Sequence, residues 1–246
     1  MANKGKGGVQ VGSTESDPSI YIEVLEGGPY VVHGAPPMAV QAITPNESGH
    51  SWSYTQGQAF EVKDGARLCR CGMSKTKPFC DGSHLRADVD LAETATMEPM
   101  LQQRDTTEMD GPDYSLTDNE KYCAYGRFCD NGDRFWNEVM EGGKAHDELA
   151  IYMAHHCPSG RLLVWDRDKR EPVETAQAAE LALIEDTALG ISGPLQLRGG
   201  IRVHSASGES YEVRNRQTLC RCGQSSNKPF CDGTHASVKF KDGLGE

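Results

Sequence analysis

Apolar runs along this chain are short, and turn-forming residues interrupt them often. The clearest helical pattern is Glu148 to His156, where Leu149, Tyr152 and Met153 share one face. Cys157-Pro158 ends it, because proline cannot continue a helix. Arg161 to Trp165 then predicts a strand. Thr175 to Ile184 is rich in alanine and leucine and predicts a second helix. Other strand signals are brief: Phe60 to Val62, Ile201 to His204 and Tyr211 to Val213, each bounded by turn residues. Ala35 to Gly57 is rich in Pro, Ser and Gly and reads as a loop. Residues 1–19 are rich in Gly, Lys and Ser and read as a disordered tail. Arg86 to Glu120 holds ten Asp or Glu against two Arg and reads as a solvated linker, partly helical around Glu98 to Asp105.

Composition narrows the function classes. The chain has 246 residues, 37% of them hydrophobic, and a mean hydropathy of −0.57. No apolar run approaches the roughly 18–20 residues that cross a bilayer, so no membrane partner is expected. Met1 to Ser19 lacks the apolar core of a secretory signal. The net charge of −11 argues against binding a nucleic-acid backbone. The unusual number is nine cysteines. The expected setting is a reducing cytoplasm, where thiols hold metals more often than disulfides.

The cysteines form three groups of three: Cys69, Cys71 and Cys80; Cys123, Cys129 and Cys157; Cys220, Cys222 and Cys231. The outer groups lie in an internal repeat. Leu68 to His84 reads LCRCGMSKTKPFCDGSH and Leu219 to His235 reads LCRCGQSSNKPFCDGTH, identical at 13 of 17 positions with an offset of 151. A weaker parallel links Gly28 to Gly34 with Gly193 to Gly199. Each repeat spaces its ligand-type residues as Cys-x-Cys-x8-Cys-x3-His. Gly72 and Gly223 permit close backbone approach to a metal, and Pro78 and Pro229 stiffen the loops. Asp81 and Asp232 are expected to cap a helical turn, which brings Cys80 to His84 and Cys231 to His235. Arg70, Lys77, Arg221 and Lys228 are cations within the loops, either solubilising them or offsetting negative charge. Three thiols and one imidazole suit structural zinc or a mixed-ligand iron–sulfur cluster.

The run CRCG-x-S-x3-PFCDG-[ST]-H, present twice, resembles the CDGSH, or NEET-type, iron–sulfur family. The resemblance implies a [2Fe-2S] cluster on Cys69, Cys71, Cys80 and His84, and a second on Cys220, Cys222, Cys231 and His235. It displaces the zinc reading. Members commonly pair as homodimers with one motif per chain, which implies a pseudo-twofold pair within this chain. Exchanging a thiolate for neutral imidazole raises the reduction potential, as His ligands do in Rieske centres. It also supplies a ligand that protonates near neutral pH.

The middle group reads Cys123-x5-Cys129 followed by Cys157-Pro158. Asp113 to Asp166 resembles mono-cluster ferredoxins, and in particular their divergent branch that accompanies CDGSH units. Gly126 stands where those proteins carry another cysteine. Three thiols imply a [3Fe-4S] cluster, with a [4Fe-4S] cluster completed by Tyr125, Asp130, His155 or His156 as the alternative. Thiols that bind nothing, or a Cys123–Cys129 redox disulfide, are the remaining readings.

No phosphate-binding glycine loop, nucleophile elbow or catalytic triad is present, and no enzyme is expected. His33, His50, His146 and His204 show no ligand spacing. The expected fold is α+β: a tail (1–19), a CDGSH domain (20–90), an acidic linker (91–112), a ferredoxin-like domain (113–170) and a second CDGSH domain (171–246). The expected function is multi-cluster electron transfer with redox-protein partners. The alternatives are cluster donation to apo-proteins, or redox or iron sensing through a partner.

Overall fold

The computed structural model describes residues 7–244. The first half builds β1 (Tyr21–Val24), β2 (Tyr30–His33), β3 (Met38–Pro45), β4 (Ser51–Phe60) and β5 (Ala66–Leu68), which leads into the first cysteine loop. The central section has β6 (Thr106–Asp110), β7 (Tyr114–Asn119), α1 (Phe135–Glu141), α2 (Lys144–His156), β8 (Leu163–Asp166) and β9 (Glu171–Pro172). The last part has β10 (Glu180–Asp186), β11 (Ile191–Arg198), β12 (Arg202–His204), β13 (Arg216–Leu219) and α3 (Thr234–Ser237). The content is α+β and strand-rich. No helix among the described residues is long and apolar enough to cross a membrane.

The strands form three sheets, ordered β12-β1-β2-β5, β13-β11-β10-β3-β4 and β6-β7-β8-β9. The first two exchange strands. β12, from the last part of the chain, lies parallel to β1, with Ile22 opposite Val203. β3, from the first half, lies parallel to β10 from Leu181↔Met38 to Asp186↔Ile43. Within each half the strand entering the cysteine loop pairs antiparallel with an earlier one: Tyr30↔Leu68 and Leu195↔Leu219. One core therefore takes Ile22, Tyr30 and Val32 from one half and Leu183, Leu195 and Phe230 from the other.

Three expected elements differ. Thr175 to Ile184 yields strand β10, not a helix. Its alternate residues face two apolar clusters, Leu181 and Leu183 one, Ala182 and Ile184 the other. Burial on both faces overrides the helix propensity of Ala and Leu. Ala35 to Gly57 is the β3–β4 hairpin and not a loop. Asn46 closes its turn by accepting hydrogen bonds from the Ser48 and His50 amides, both at 3.0 Å. Residues 7–19 of the expected disordered tail are paired to the last part of the chain, while residues 1–6 lie outside the described residues. The Gln10 amide donates to the Val213 carbonyl at 2.9 Å and the Ser16 amide to Gly200 at 3.0 Å. Polar composition alone missed this backbone pairing.

The acidic stretch is also anchored. The Thr94 and Ala95 amides donate to the Lys228 carbonyl at 2.8 and 2.9 Å. Leu91 and Met100 are buried, and Met100–Gln102 is a 3-10 turn. The central helices pack on their sheet through Phe135, Val139, Met153 and Leu162, which are joined by Leu116 and Val164. α2 ends at Cys157, as the proline predicts. It also touches the hairpin, where Trp52 stacks on Tyr152 with ring centroids 4.5 Å apart.

Candidate metal centres

Both cysteine loops are locally determined. β5 and β13 deliver Cys69 and Cys220, whose amides donate to the carbonyls of Pro78 and Pro229 at 2.8 Å. Lys77 and Lys228 each donate to a loop carbonyl, Ser74 and Ser225, at 2.6 Å. These lysines stitch the loops rather than merely solvating them. Asp81 accepts from the Lys75 and Ser83 amides at 2.9 Å. Asp232 accepts from the Ser226 and Thr234 amides at 2.7 and 3.0 Å. Each aspartate sits one residue before the cap position, which Gly82 and Gly233 occupy. It ties the loop to the turn that carries the histidine.

The ligand-type side chains converge as pairs. Cys69 Sγ and Cys71 Sγ lie 3.7 Å apart, as do Cys220 Sγ and Cys222 Sγ. Cys80 Sγ lies 3.4 Å from His84 Nδ1, and Cys231 Sγ 3.3 Å from His235 Nδ1. Two thiolates on one tetrahedral metal, each about 2.3 Å from it, sit about 3.7 Å apart. Each pair thus spans one edge of a tetrahedral site. Among the described residues, no three His, Cys, Asp or Glu side chains converge as one single-ion site. Two pairs, each matched to one metal, fit a two-iron core and not a lone zinc ion. Hydrogen bonding within the sulfur pairs brings Cys69 and Cys220 down to about 6 and pushes their partners up. Burial, with Arg221 next in effect, pushes His235 down to about 4 and keeps its imidazole in the neutral, ligating form.

The two loops touch each other. Cys71 and Cys222 form an antiparallel bridge. A Cβ at Gly72 would lie 2.8 Å from the Cys222 carbonyl oxygen, and one at Gly223 would lie 2.8 Å from that of Cys71. These glycines therefore admit the opposite loop, where the sequence suggested room for a metal. Tyr30, buried in the first half, donates to the carbonyls of Cys220 and Pro229 at 2.9 and 3.0 Å.

The loop arginines differ. Arg221 donates to Gly193 at 2.9 Å, to Ile184 at 3.1 Å and to Glu185 at 2.9 Å, and also pairs with Asp242. Arg70 is equally buried, reaches Leu91 O and lies 5.6 Å from the Tyr30 ring centroid, but its Nε and Nη1 have no hydrogen-bond partner. Sequence reasoning missed Asp242 and Tyr30, because each acts from a distant segment on a loop that it does not belong to.

Of the middle cysteines, Cys123 lies against the second loop, where a Cβ at Gly233 would lie 3.0 Å from its carbonyl oxygen. Cys123 closes a 3-10 turn (Glu120–Tyr122), and Cys157 ends α2. Burial pushes the Cys129 thiol up to about 12, Cys157 adding to the shift and Arg161 opposing it. Arg161 is buried, lies 2.8 Å from Asp118 and within electrostatic reach of all three thiols. Every cysteine is a free thiol, so Cys123 and Cys129 form no disulfide here. A Cβ at Gly126 would lie 2.9 Å from Pro158, which accounts for glycine there. Of the suggested fourth ligands, His155 is bonded to Val173 O and His156 to Tyr152 O, each at 2.8 Å. Asp130 faces Arg134 on the surface, and Tyr125 is exposed. None joins the three thiols.

A family model described as iron-binding zinc finger, CDGSH type, matches residues 27–85 and 192–236. These two segments of the chain belong to the CDGSH family, whose domains bind [2Fe-2S] clusters. The match does not include the central section. No curated protein and no solved structure matches the chain.

Proposed function

We propose that this chain is an electron-transfer protein with two [2Fe-2S] clusters and one further cluster on Cys123, Cys129 and Cys157. The observation that carries it is the reciprocal contact of the two ligand loops through Cys71 and Cys222, with the Cys123 backbone against the second loop at Gly233. The two halves act as a pseudo-twofold pair, each closing the other's sheet with one strand. When bound, a [2Fe-2S] cluster accepts and returns one electron. The chain's own residues exclude water, fix the ligand pairs and supply Arg70 and Arg161 as buried positive charge. Electron transfer needs fixed centres in close succession and no substrate cavity.

The central trio fits a [3Fe-4S] cluster best. Its thiols lie within electrostatic reach of one another and of Arg161 without pairing, and such a cluster takes one thiolate per iron. Iron and sulfide analysis with EPR of oxidised and reduced protein tests both parts. Expected are about seven irons per chain, an EPR signal in the oxidised protein from the central centre, and a second signal on reduction. Zinc without sulfide would refute the proposal.

A further inference from the structure

Resting on the cluster reading above, we propose that the His235 site is the relay of the molecule. It stands between the other two centres in space, and electrons pass between the central trio and the His84 site through it.

Order along the chain and order in space differ. In sequence the central cysteines lie between the two CDGSH motifs. In the fold the second loop touches both the first loop and the central section. Toward the first loop, Cys222 bridges Cys71. Val89 packs with the buried Cys69 and Cys71, and a Cβ at Gly223 would lie 3.0 Å from its Cγ2. Toward the central section, the neighbours of two ligands make the contact. Tyr122 precedes Cys123 and Phe230 precedes Cys231, and their rings meet edge to face with centroids 5.3 Å apart. Arg214 is buried against both, its guanidinium carbon 4.5 Å from the Tyr122 centroid and 5.3 Å from that of Phe230.

The turn after the third central cysteine is docked on the same unit. Arg216 on β13 donates to the Cys157 carbonyl at 3.0 Å, and Gln196 on β11 donates to that of Pro158 at 2.9 Å. The Cys123 thiol is close enough to Cys231 to add to the upward shift that burial and Cys220 produce there. The first unit lacks such contacts. No hydrogen bond among the described residues joins its loop, residues 68–84, to the central section, residues 113–170.

Electron transfer between fixed centres slows steeply with separation and is fastest through bonded and tightly packed atoms. From Cys123 to Cys231 the path crosses one ring contact, and from Cys222 to Cys71 one backbone bridge. In operation a one-electron donor protein reduces one outer centre. That electron passes to the His235 site, reoxidising the outer centre, then to the other outer centre and a one-electron acceptor protein. No bond within the chain forms or breaks, and the internal steps move electrons alone. Arg214 places a buried cation at the junction, where it offsets the charge in transit.

The test is EPR on the loaded, full-length protein after complete reduction. His84→Cys and His235→Cys each keep four ligands and shift one [2Fe-2S] signal, which assigns the two. The central centre speeds the relaxation of any unpaired spin close to it. The His235-site signal should therefore need about tenfold more microwave power to saturate than the His84-site signal, as coupling through a packed contact requires. Cys129→Ser, which removes the central centre, should abolish that difference. Cys231→Ser empties the middle position. Substoichiometric dithionite and rapid freezing should then show exchange between the outer centres slowed about tenfold or more. Tyr122→Leu keeps every ligand, should slow exchange between the central centre and the His235 site, and serves if Cys231→Ser does not fold. Equal saturation of the two signals, stronger relaxation of the His84-site signal, or exchange that neither variant slows would overturn the proposal. Protein isolated without iron and sulfide, or without a third centre, removes the parent reading, and this one with it. Protein that holds three centres but shows equal saturation removes this one alone.

Discussion

The two CDGSH units carry nearly the same seventeen residues, and the ligand pairs within them differ by no more than 0.1 Å. Their environments differ far more. The second unit is covered by the central section, by residues 238–244 and by Tyr30 from the other half. The first unit ends in an exposed turn. A contiguous motif thus determines what is bound, and distant segments determine how firmly and how accessibly it is held.

The largest effect should come from removing one ligand on each side. Cys231→Ser places a hydroxyl in the shared core and releases a cluster whose binding is also folding energy. It should cost on the order of 4 kcal/mol and lower Tm by about 10 °C. Cys80→Ser lies in the half-buried turn and should cost about half as much. Calorimetry on the two variants checks this, and equal losses would break the contrast.

Tyr30→Phe crosses the boundary between the units. It deprives two buried carbonyls, Cys220 and Pro229, of their shared donor. The expected cost is about 2 kcal/mol, with faster bleaching of the second site although the mutation lies in the first half. Denaturant melts and visible absorption would show it, and bleaching confined to the first site would contradict the crossed contact.

The finest comparison uses one motif position. A Cβ at Gly82 meets nothing within 4 Å, whereas one at Gly233 lies 3.0 Å from the Cys123 carbonyl oxygen and 3.6 Å from Tyr125 Cβ. Both glycines have positive φ, at 82° and 87°. Gly82→Ala should cost about 1 kcal/mol, the backbone penalty alone. Gly233→Ala should cost about 1 kcal/mol more and perturb the EPR signal of the central centre. Identical stabilities and spectra would mean that the central loop does not press on the second site.

The sequence made the ligand pairs legible because everything that shapes them lies within one loop: Pro78, Asp81 and the Cys–x–Cys step, repeated intact in the second copy. Helix α2 was legible from the spacing of Leu149, Tyr152 and Met153 and from the proline that stops it. Strands β3 and β4 were not, because Pro, Ser and Gly recur through the segment and the second pairing partner of β3, beside β4, is β10, far along the chain. β10 itself was masked by alanine and leucine, whose strand state depends on two apolar faces that only the assembled fold supplies. The role of Arg221 was hidden for the same reason. Its acidic partners, Glu185 and Asp242, lie on other segments.

The exchange of β3 and β12 has a consequence for how the protein is made. On the ribosome, Tyr21–Val24 emerges early, but its parallel neighbour Arg202–His204 is translated only after the whole central section. Met38–Pro45 likewise waits for Glu180–Asp186. Neither half can complete its sheet until the strand lent by the other has been made, so the order of synthesis and the order of folding are uncoupled in both halves.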